Sequence, residues 1–301
     1  MPKNLISVQD LSKEEILHIL DVAKEFEANR EQDFLSGKVI ACLFFEPSTR
    51  TRLSFESAIN RLGARVIGFP DNRNTSQTKG ETLEDTIRIV SNYVDMIVMR
   101  HPMAGAADIA ASVASVPVIN AGDGANQHPT QTLLDLYAIR KTQGRLEGLD
   151  IDMVGDLKYG RAVHSLVEAL RHFSPRFVFT SPEELTMPRK YVEMLDETDI
   201  PYVQTGNIEY GLNDCDILYM TRVQEERFPD KDEYDKVKDV YRLTASMLGG
   251  VRPNLKIMHP LPRVNEIAPD VDTTPYAWYF RQAGDGMYVR MAIIACLLGY
   301  R

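Results

Sequence analysis

Arginine, histidine and hydroxyl side chains recur in this chain directly after apolar runs of strand length. In Glu46-Pro47-Ser48-Thr49-Arg50-Thr51-Arg52, two arginines stand among three hydroxyls, between the run Val39–Phe45 and a helical pattern carrying Phe55 and Ile59. At such a junction unpaired backbone N–H groups and the positive helix end face outward, hydroxyls donate, and Arg50 can grip an oxyanion with two parallel bonds. That chemistry suits a phosphate. A Ser/Thr helix cap with surface arginines would explain the hydroxyls alone, but the paired arginines favour the anion site.

Arg100-His101-Pro102 follows the run Asp95–Met99, at the strand end where ligands of open α/β sheets collect; alone, Arg100 reads equally well as a solvated arginine. In Asn126-Gln127-His128-Pro129-Thr130-Gln131, Pro129 suits the first turn of a helix. His128 then stands at the helix mouth and Gln131 in its first turn, where imidazole and amide can bond a substrate carbonyl and NH2; a lone histidine is as often structural. Gly155-Asp156-Leu157-Lys158-Tyr159-Gly160-Arg161 has the two glycines of a P-loop, but Arg161-Ala162 stands where that loop needs Lys and Ser/Thr. Gly122-Asp123-Gly124 lacks the third glycine of a dinucleotide fingerprint, since position 127 is Gln. Nucleotide binding is therefore disfavoured, and Arg161 reads as a second anion contact. Arg222-Val223-Gln224 follows the run Ile217–Met220, and His259-Pro260-Leu261-Pro262-Arg263 follows Lys256–Met258, its prolines fixing an extended turn whose carbonyls can accept from an amine. A solvated charge run accounts for Glu225-Glu226, though not for the whole set.

Length and composition narrow the classes. At 301 residues, with 44% hydrophobic and 26% charged residues, two globular domains are expected. The longest apolar stretch, Met291–Leu298, is far short of the roughly 20 residues of a spanning helix, and the start is polar, so a soluble chain without a secretory signal is expected. Three scattered cysteines, Cys42, Cys215 and Cys296, give neither a disulfide framework nor metal-ligand spacing, which fits a reducing cytoplasm. A net charge of −9 argues against nucleic acid or acidic membrane as partners, but not against small anions, because a pocket is set by local charge. No cluster has metal spacing and no Ser/His/Asp order stands out, so neither metal nor cofactor is expected.

The elements that must position these groups alternate. Ser12-Lys13-Glu14-Glu15 has capping-box spacing, followed by Ile16, Leu20 and Ala23, predicting a helix ending near Asn29. Val39–Phe45 reads as a strand buried on both faces. A helix with Phe55, Ile59 and Leu62, a strand Arg65–Phe69, a helix with Leu83, Ile87, Val90 and Val94, a strand Met96–Met99 and a helix around Thr130–Lys141 follow. After the polar, glycine-bearing stretch 142–148 the alternation resumes: strand Ile151–Val154, helix with Val163, Leu166, Val167 and Leu170, and strands near 177–179, 217–220 and 256–258. The fold class is α/β, with two doubly wound parallel-sheet domains, residues 1–145 and 146–285, and the active site in the crevice between them. A final helix with Val289, Ile293 and Leu297 is expected over about 286–301 and to pack back on the first domain, though periodicity does not assign it.

Together these segments resemble the aspartate/ornithine carbamoyltransferase family over nearly the whole chain. Ser48-Thr49-Arg50-Thr51 resembles its carbamoyl-phosphate motif, and His128-Pro129-Thr130-Gln131 its carbonyl-binding motif. Lys158-Tyr159-Gly160-Arg161, Arg222-Val223-Gln224 and His259-Pro260-Leu261-Pro262-Arg263 look like the aspartate branch; the ornithine branch carries a cysteine before its Leu-Pro, where this chain has Pro260. The resemblance implies that Ser48, Thr49, Arg50, Thr51 and Arg100 hold the phosphate of carbamoyl phosphate. It implies that Thr51, Arg100 and His128 polarise the carbamoyl oxygen, and that Gln131 and the Leu261 and Pro262 carbonyls orient the amino groups. Arg161, Arg222 and Gln224 then bind L-aspartate, whose two carboxylates suit the arginines, while ornithine's extra ammonium would be repelled.

The family also borrows a serine and a lysine from a neighbouring subunit, here most like Ser76 and Lys79, which implies a homotrimer with shared sites. The loop is one residue shorter between the two than the family's spacing, which leaves Thr75 as an alternative to Ser76. Glu46 and Arg227 resemble residues that hold a closed, liganded form with Arg161, so domain closure on aspartate is expected. The implied reaction is transfer of the carbamoyl group to the aspartate amine, in cytoplasmic pyrimidine synthesis, with a separate regulatory chain and allosteric control left open. The alternatives are a carbamoyltransferase for ornithine or another amine, and a non-catalytic anion-binding subunit.

Overall fold

The computed structural model describes residues 1–73, 75–223, 230–238 and 240–301. The chain forms two compact units: Met1–Tyr137 together with Gly284–Arg301, and Ala138–Ala283. In the first, α1 (Lys13–Ala28) begins in the capping box foreseen from Ser12 and Glu15 and is capped by Asn29. It is followed by β1 (Val39–Phe44), α2 (Thr49–Arg61), β2 (Arg65–Phe69), α3 (Leu83–Val90), β3 (Met96–His101), α4 (Ala106–Val113), β4 (Val118–Asp123) and α5 (Pro129–Gln143). The strands form one parallel sheet in the order β2-β1-β3-β4. Ala41, Leu43, Phe45, Ile97 and Met99 pack with Leu83 and Ile87 of α3 and Ala106, Ala107 and Ala110 of α4. Ile40, Cys42, Phe44, Met96 and Val98 alternate with them, so they face the other side, and they are equally buried. That two-sided burial is why β1 reads as an unbroken apolar run.

Two departures from the sequence expectation have local causes. The periodicity of Leu83, Ile87, Val90 and Val94 does not continue as one helix, because α3 stops at Val90. The Ser91 hydroxyl donates to the Ile87 carbonyl at 2.7 Å and Asn92 Nδ2 to the Arg88 carbonyl at 3.0 Å, so side chains take over the last acceptors of the helix. The strand β4 gives no strand signal, since its sequence is Val-Ile-Asn-Ala-Gly-Asp. Its buried Asn120 is satisfied instead: Nδ2 donates to the Ile6 carbonyl and to Asp123 Oδ1, both at 2.9 Å, and Oδ1 accepts from Gly122 N at 2.8 Å.

The second unit continues with β5 (Asp150–Val154), α6 (Arg161–Leu170), β6 (Arg176–Thr180), α7 (Arg189–Asp196), β7 (Tyr202–Thr205), α8 (Glu209–Leu212), β8 (Ile217–Met220), α9 (Lys231–Val237) and β9 (Lys256–Met258). These strands form a parallel sheet ordered β7-β6-β5-β8-β9. The last helix, α10 (Tyr279–Leu297), starts in this unit and delivers Gly284–Leu297 to the first. There Val289, Met291, Ala292, Ile293 and Ile294 are fully buried, and Ser57 of α2 donates to Met287 Sδ at 3.2 Å. In each sheet the strand order reverses once, between β1 and β3 and between β5 and β8. No helix among the described residues is long and apolar enough to cross a membrane.

Candidate functional site

In both sheets part of the set singled out by the sequence lies at the carboxyl ends of the two strands where the order reverses, the place such sheets offer a ligand: Ser48–Thr51 after β1 and Arg100 at the end of β3, Arg161 after β5 and Arg222 after β8, whereas His128 and Gln131 follow β4 and Leu261 and Pro262 follow β9. In the first unit Phe44 of β1 lies beside Arg100 of β3, so Glu46 and Ser48 on one side and Arg100 on the other emerge together. Arg100 Nε donates to Glu46 Oε1 at 2.8 Å, with both side chains half-buried.

Ser48 is the N-cap of α2, yet its hydroxyl makes no cap hydrogen bond, and no acidic residue stands in the first turn. A plain capping role therefore does not account for this serine. Thr49 and Arg50 are exposed and Thr51 is buried at 8% exposure, so the first turn presents hydroxyls, N–H groups and a guanidinium. Such a turn suits an oxyanion. Arg52 turns away, its Nε donating to Glu56 Oε1 at 2.7 Å.

Pro129 opens α5, as its sequence position required, with His128 and Gln131 at its mouth, at 6% and 8% exposure. The loop before it is held by Asp123, a residue sequence reasoning used only to reject a nucleotide motif. Its carboxylate accepts from Gly105 N at 2.8 Å and from Asn126 Nδ2 and Gln127 N at 3.1 Å, so β4, the start of α4 and the approach to His128 share one acceptor. Ser76 and Lys79 bound a single 3-10 turn in this unit and are exposed. The Thr75 hydroxyl donates to the Asn72 carbonyl at 2.8 Å, within its own turn.

In the second unit, Gly155 ends β5 at φ +120°, where an added Cβ would lie 2.2 Å from the Thr221 carbonyl oxygen after β8. Only glycine lets these two strand ends approach so closely. The close approach brings the Gly155–Arg161 turn beside Thr221-Arg222; Arg161 is the first residue of α6 and, like Arg222, half-buried. Behind the turn, His164 Nε2 donates to the Leu157 carbonyl at 2.7 Å, and burial pulls its imidazole down to about 4, so it stays neutral.

Beyond β9, the buried His259 organises the proline loop. Its Nδ1 accepts from Leu261 N at 2.8 Å, so Nε2 carries the proton and donates to Glu266 Oε1 at 2.7 Å. Glu266 Oε2 in turn accepts from Val264 N at 3.1 Å and Asn265 N at 3.0 Å, and Gln282 Oε1 accepts from His259 N at 2.9 Å. Burial holds His259 below its ordinary value; burial also opposes the charge on Glu266, but His259 and the backbone N–H donors together hold that carboxyl below its own. Leu261 has φ +55° and its bond to Pro262 is cis. Gln224 and Arg227 lie outside the described residues. A cleft of about 450 Å³ in this unit is lined by Asp150, Phe177 and Tyr202, at the opposite, amino ends of the strands, and contains none of these groups.

Comparison with known proteins decides the family. Residues 3–141 match the carbamoyl-phosphate-binding domain of aspartate/ornithine carbamoyltransferases and residues 147–297 their aspartate/ornithine-binding domain. The chain belongs to the aspartate/ornithine carbamoyltransferase family. It is 61% identical to the aspartate carbamoyltransferase catalytic subunit of Bacteroides fragilis, over 99% of this chain and 97% of that one. The catalytic subunit of M. jannaschii aspartate transcarbamoylase superposes with a TM-score of 0.91 at 51% identity, covering 98% of each chain. The Trypanosoma cruzi aspartate transcarbamoylase in complex with carbamoyl phosphate and aspartate superposes at 0.92 with 36% identity, over 97% of this chain and 95% of that one.

For this family member the boundary between matched domains, residues 141 to 147, falls across the end of α5. The first set of groups, Ser48 to Thr51, Arg100, His128 and Gln131, lies wholly in the segment matched as the carbamoyl-phosphate domain. Arg161, Arg222, Leu261 and Pro262 lie in the other. The supporting residues Asp123, Glu266 and Gln282 give no sequence signal of a role, because charged or amide side chains satisfied inside the fold look like any others in one dimension.

Proposed function

We propose that the chain transfers the carbamoyl group of carbamoyl phosphate to the α-amine of L-aspartate, giving N-carbamoyl-L-aspartate and phosphate. The observation that carries the aspartate assignment is the pair Arg161 and Arg222, brought by the Gly155–Thr221 approach to the order-reversing strands of the second sheet. Two guanidiniums suit a dicarboxylate and repel the side-chain ammonium of ornithine. Gln224 completes that set, and the Leu261 and Pro262 carbonyls, held in place by His259 and Glu266, accept from the incoming amine.

Ser48, Thr49, Arg50, Thr51 and Arg100 hold the phosphate. The amine attacks the carbamoyl carbon, and the charge that develops on the carbonyl oxygen is met by Thr51, Arg100 and His128. Gln131 engages the carbamoyl NH2. Collapse expels phosphate, whose oxygens accept the proton released by the amine. Catalysis is then positioning plus electrostatic stabilisation in a fixed frame of donors. Ser76 and Lys79 serve a neighbouring chain in a homotrimer, working in the cytoplasm at the pyrimidine step. Glu46, which pairs with Arg100, and Arg227 stabilise the liganded form.

Purified protein assayed with carbamoyl phosphate and either L-aspartate or L-ornithine is expected to give N-carbamoyl-aspartate alone. Citrulline would overturn the assignment of Arg161 and Arg222. Replacing either arginine by alanine is expected to raise the aspartate KM by about tenfold or more. The trimer is tested by reassociating Lys79→Ala chains with Arg50→Ala chains: regained activity supports shared sites, and none would confine each site to one chain.

A further inference from the structure

Gln131 and Asp135 stand one turn apart on α5, both buried, Asp135 completely. Gln131 Nε2 donates to Asp135 Oδ1 at 2.9 Å. Asp135 acts electrostatically on Arg290 of α10, a cation itself 3% exposed. Burial pulls the Arg290 guanidinium down to about 10 while the Asp135 charge opposes the fall, so it remains charged at neutral pH. Its Nη1 donates to Ser54 Oγ at 2.9 Å and its Cζ lies 5.1 Å from the centre of the Phe55 ring. Both contacts are on α2, in the turn after Thr49-Arg50-Thr51. One buried cation thus acts on the two helices whose first turns carry the phosphate and carbamoyl contacts.

The charge on Asp135 decides which way the Gln131 amide faces. A buried guanidinium requires a buried counter-charge, and Asp135 is the carboxylate that acts on it. An ionised carboxylate has lone pairs and no donor, so it can face only the NH2 end of the carboxamide. The oxygen, Oε1, is then the end turned away from Asp135, and it only accepts.

We propose that Asp135 is a positioning residue that locks the Gln131 carboxamide with its oxygen toward the substrate, so that the site selects acyl phosphates carrying an N–H donor. The proposal rests on the placement of Gln131 at the carbamoyl group. Carbamoyl phosphate has NH2 where acetyl phosphate has a methyl group of similar size, and the two share the same phosphate. Against a locked Oε1 the methyl leaves a buried acceptor unpaired, the asymmetry by which a hydrogen-bonding site rejects an analogue lacking the donor. An amide free to rotate would present either end, and the distinction would fade.

The test compares the inhibition constant of acetyl phosphate, competing with carbamoyl phosphate, with the KM of carbamoyl phosphate. Asp135→Asn can donate as well as accept and so releases the lock; the ratio is expected to fall by about tenfold or more, chiefly through weaker carbamoyl phosphate binding. Asp135→Glu keeps an acceptor-only group and is expected to retain most of the ratio. A residue that merely supports the fold would weaken both ligands alike, so an unchanged ratio in Asp135→Asn overturns the proposal. Should Asp135→Asn not fold, as judged by circular dichroism, Asp135→Glu decides: a retained ratio supports the lock and a lost one refutes it. Gln131→Leu tests the premise separately. A fall there with no change in Asp135→Asn removes only the lock, whereas no fall in Gln131→Leu takes Gln131 off the carbamoyl group and the proposal with it.

Discussion

Asp152 shows how far a single carboxyl can stand from its usual chemistry. It lies on β5, fully buried; Oδ1 accepts from Thr180 Oγ1 at 2.9 Å, and Oδ2 has no hydrogen-bond partner. Gly211 of α8 makes room for it, since a Cβ there would come within 2.6 Å of Oδ2. Burial pushes this carboxyl from 3.8 up to about 7. Between those values the unfolded chain has released a proton that the folded chain still holds, so stability falls as pH rises across that window. Asp152→Asn keeps the acceptor for Thr180 and removes the charge. It is expected to raise stability at about pH 8 by on the order of 2 kcal/mol or more, read as a higher melting temperature, with little gain near pH 4. An equal gain at both pH values would show that charge is not the cause. The contrast with Arg50, Arg100 and Arg161 explains what was legible. Cations placed directly after apolar runs announce themselves in the sequence. A carboxyl such as Asp152 or Asp135, fixed by partners on other elements, does not.

The turn after β5 and the end of β8 depend on one another. Gly155→Ala would drive a Cβ to 2.2 Å from the Thr221 carbonyl oxygen at a φ of +120°, so the strand ends must separate. The expected cost is about 2–4 kcal/mol, seen as a lower denaturant midpoint at unchanged slope, together with a higher aspartate KM as Arg161 and Arg222 move apart. A normal KM in the folded variant would dissociate that approach from substrate binding. Most elements are readable because buried parallel strands are largely apolar: β1 and β8 throughout, β3 up to Met99, and β5 apart from Asp150 and Asp152. Those missed carry mixed chemistry. In β4, Asn120 and Asp123 bond to each other and to the chain around them, and β7, at the end of its sheet, leaves Val203 and Gln204 exposed. The end of α3 at Val90 departs from the hydrophobic spacing because Ser91 and Asn92 bond back to its carbonyls, a choice that spacing does not encode.

The molecule carries a net charge of −9 yet gathers its arginines at the strand ends that suit anions, so recognition is set by local field rather than by the whole. Its first unit is not one stretch of chain. Gly284–Arg301 belongs to it, bringing the apolar residues Val289, Ile293 and Ile294 and the cation Arg290. Ending the chain after Ala283 is expected to abolish carbamoyl transfer and collapse the soluble yield, measured by fractionation after expression; a soluble, active product would show that α10 is dispensable. The division of the first unit also sets an order in time. A ribosome delivers Met1–Tyr137, then all of the second unit, and only then the helix that closes the first. Until it emerges, Arg290 has not joined Asp135 and the surfaces that will meet α10 stay open, so the nascent chain spends its synthesis with the half matched as the carbamoyl-phosphate domain unfinished while the other half already has every residue it needs.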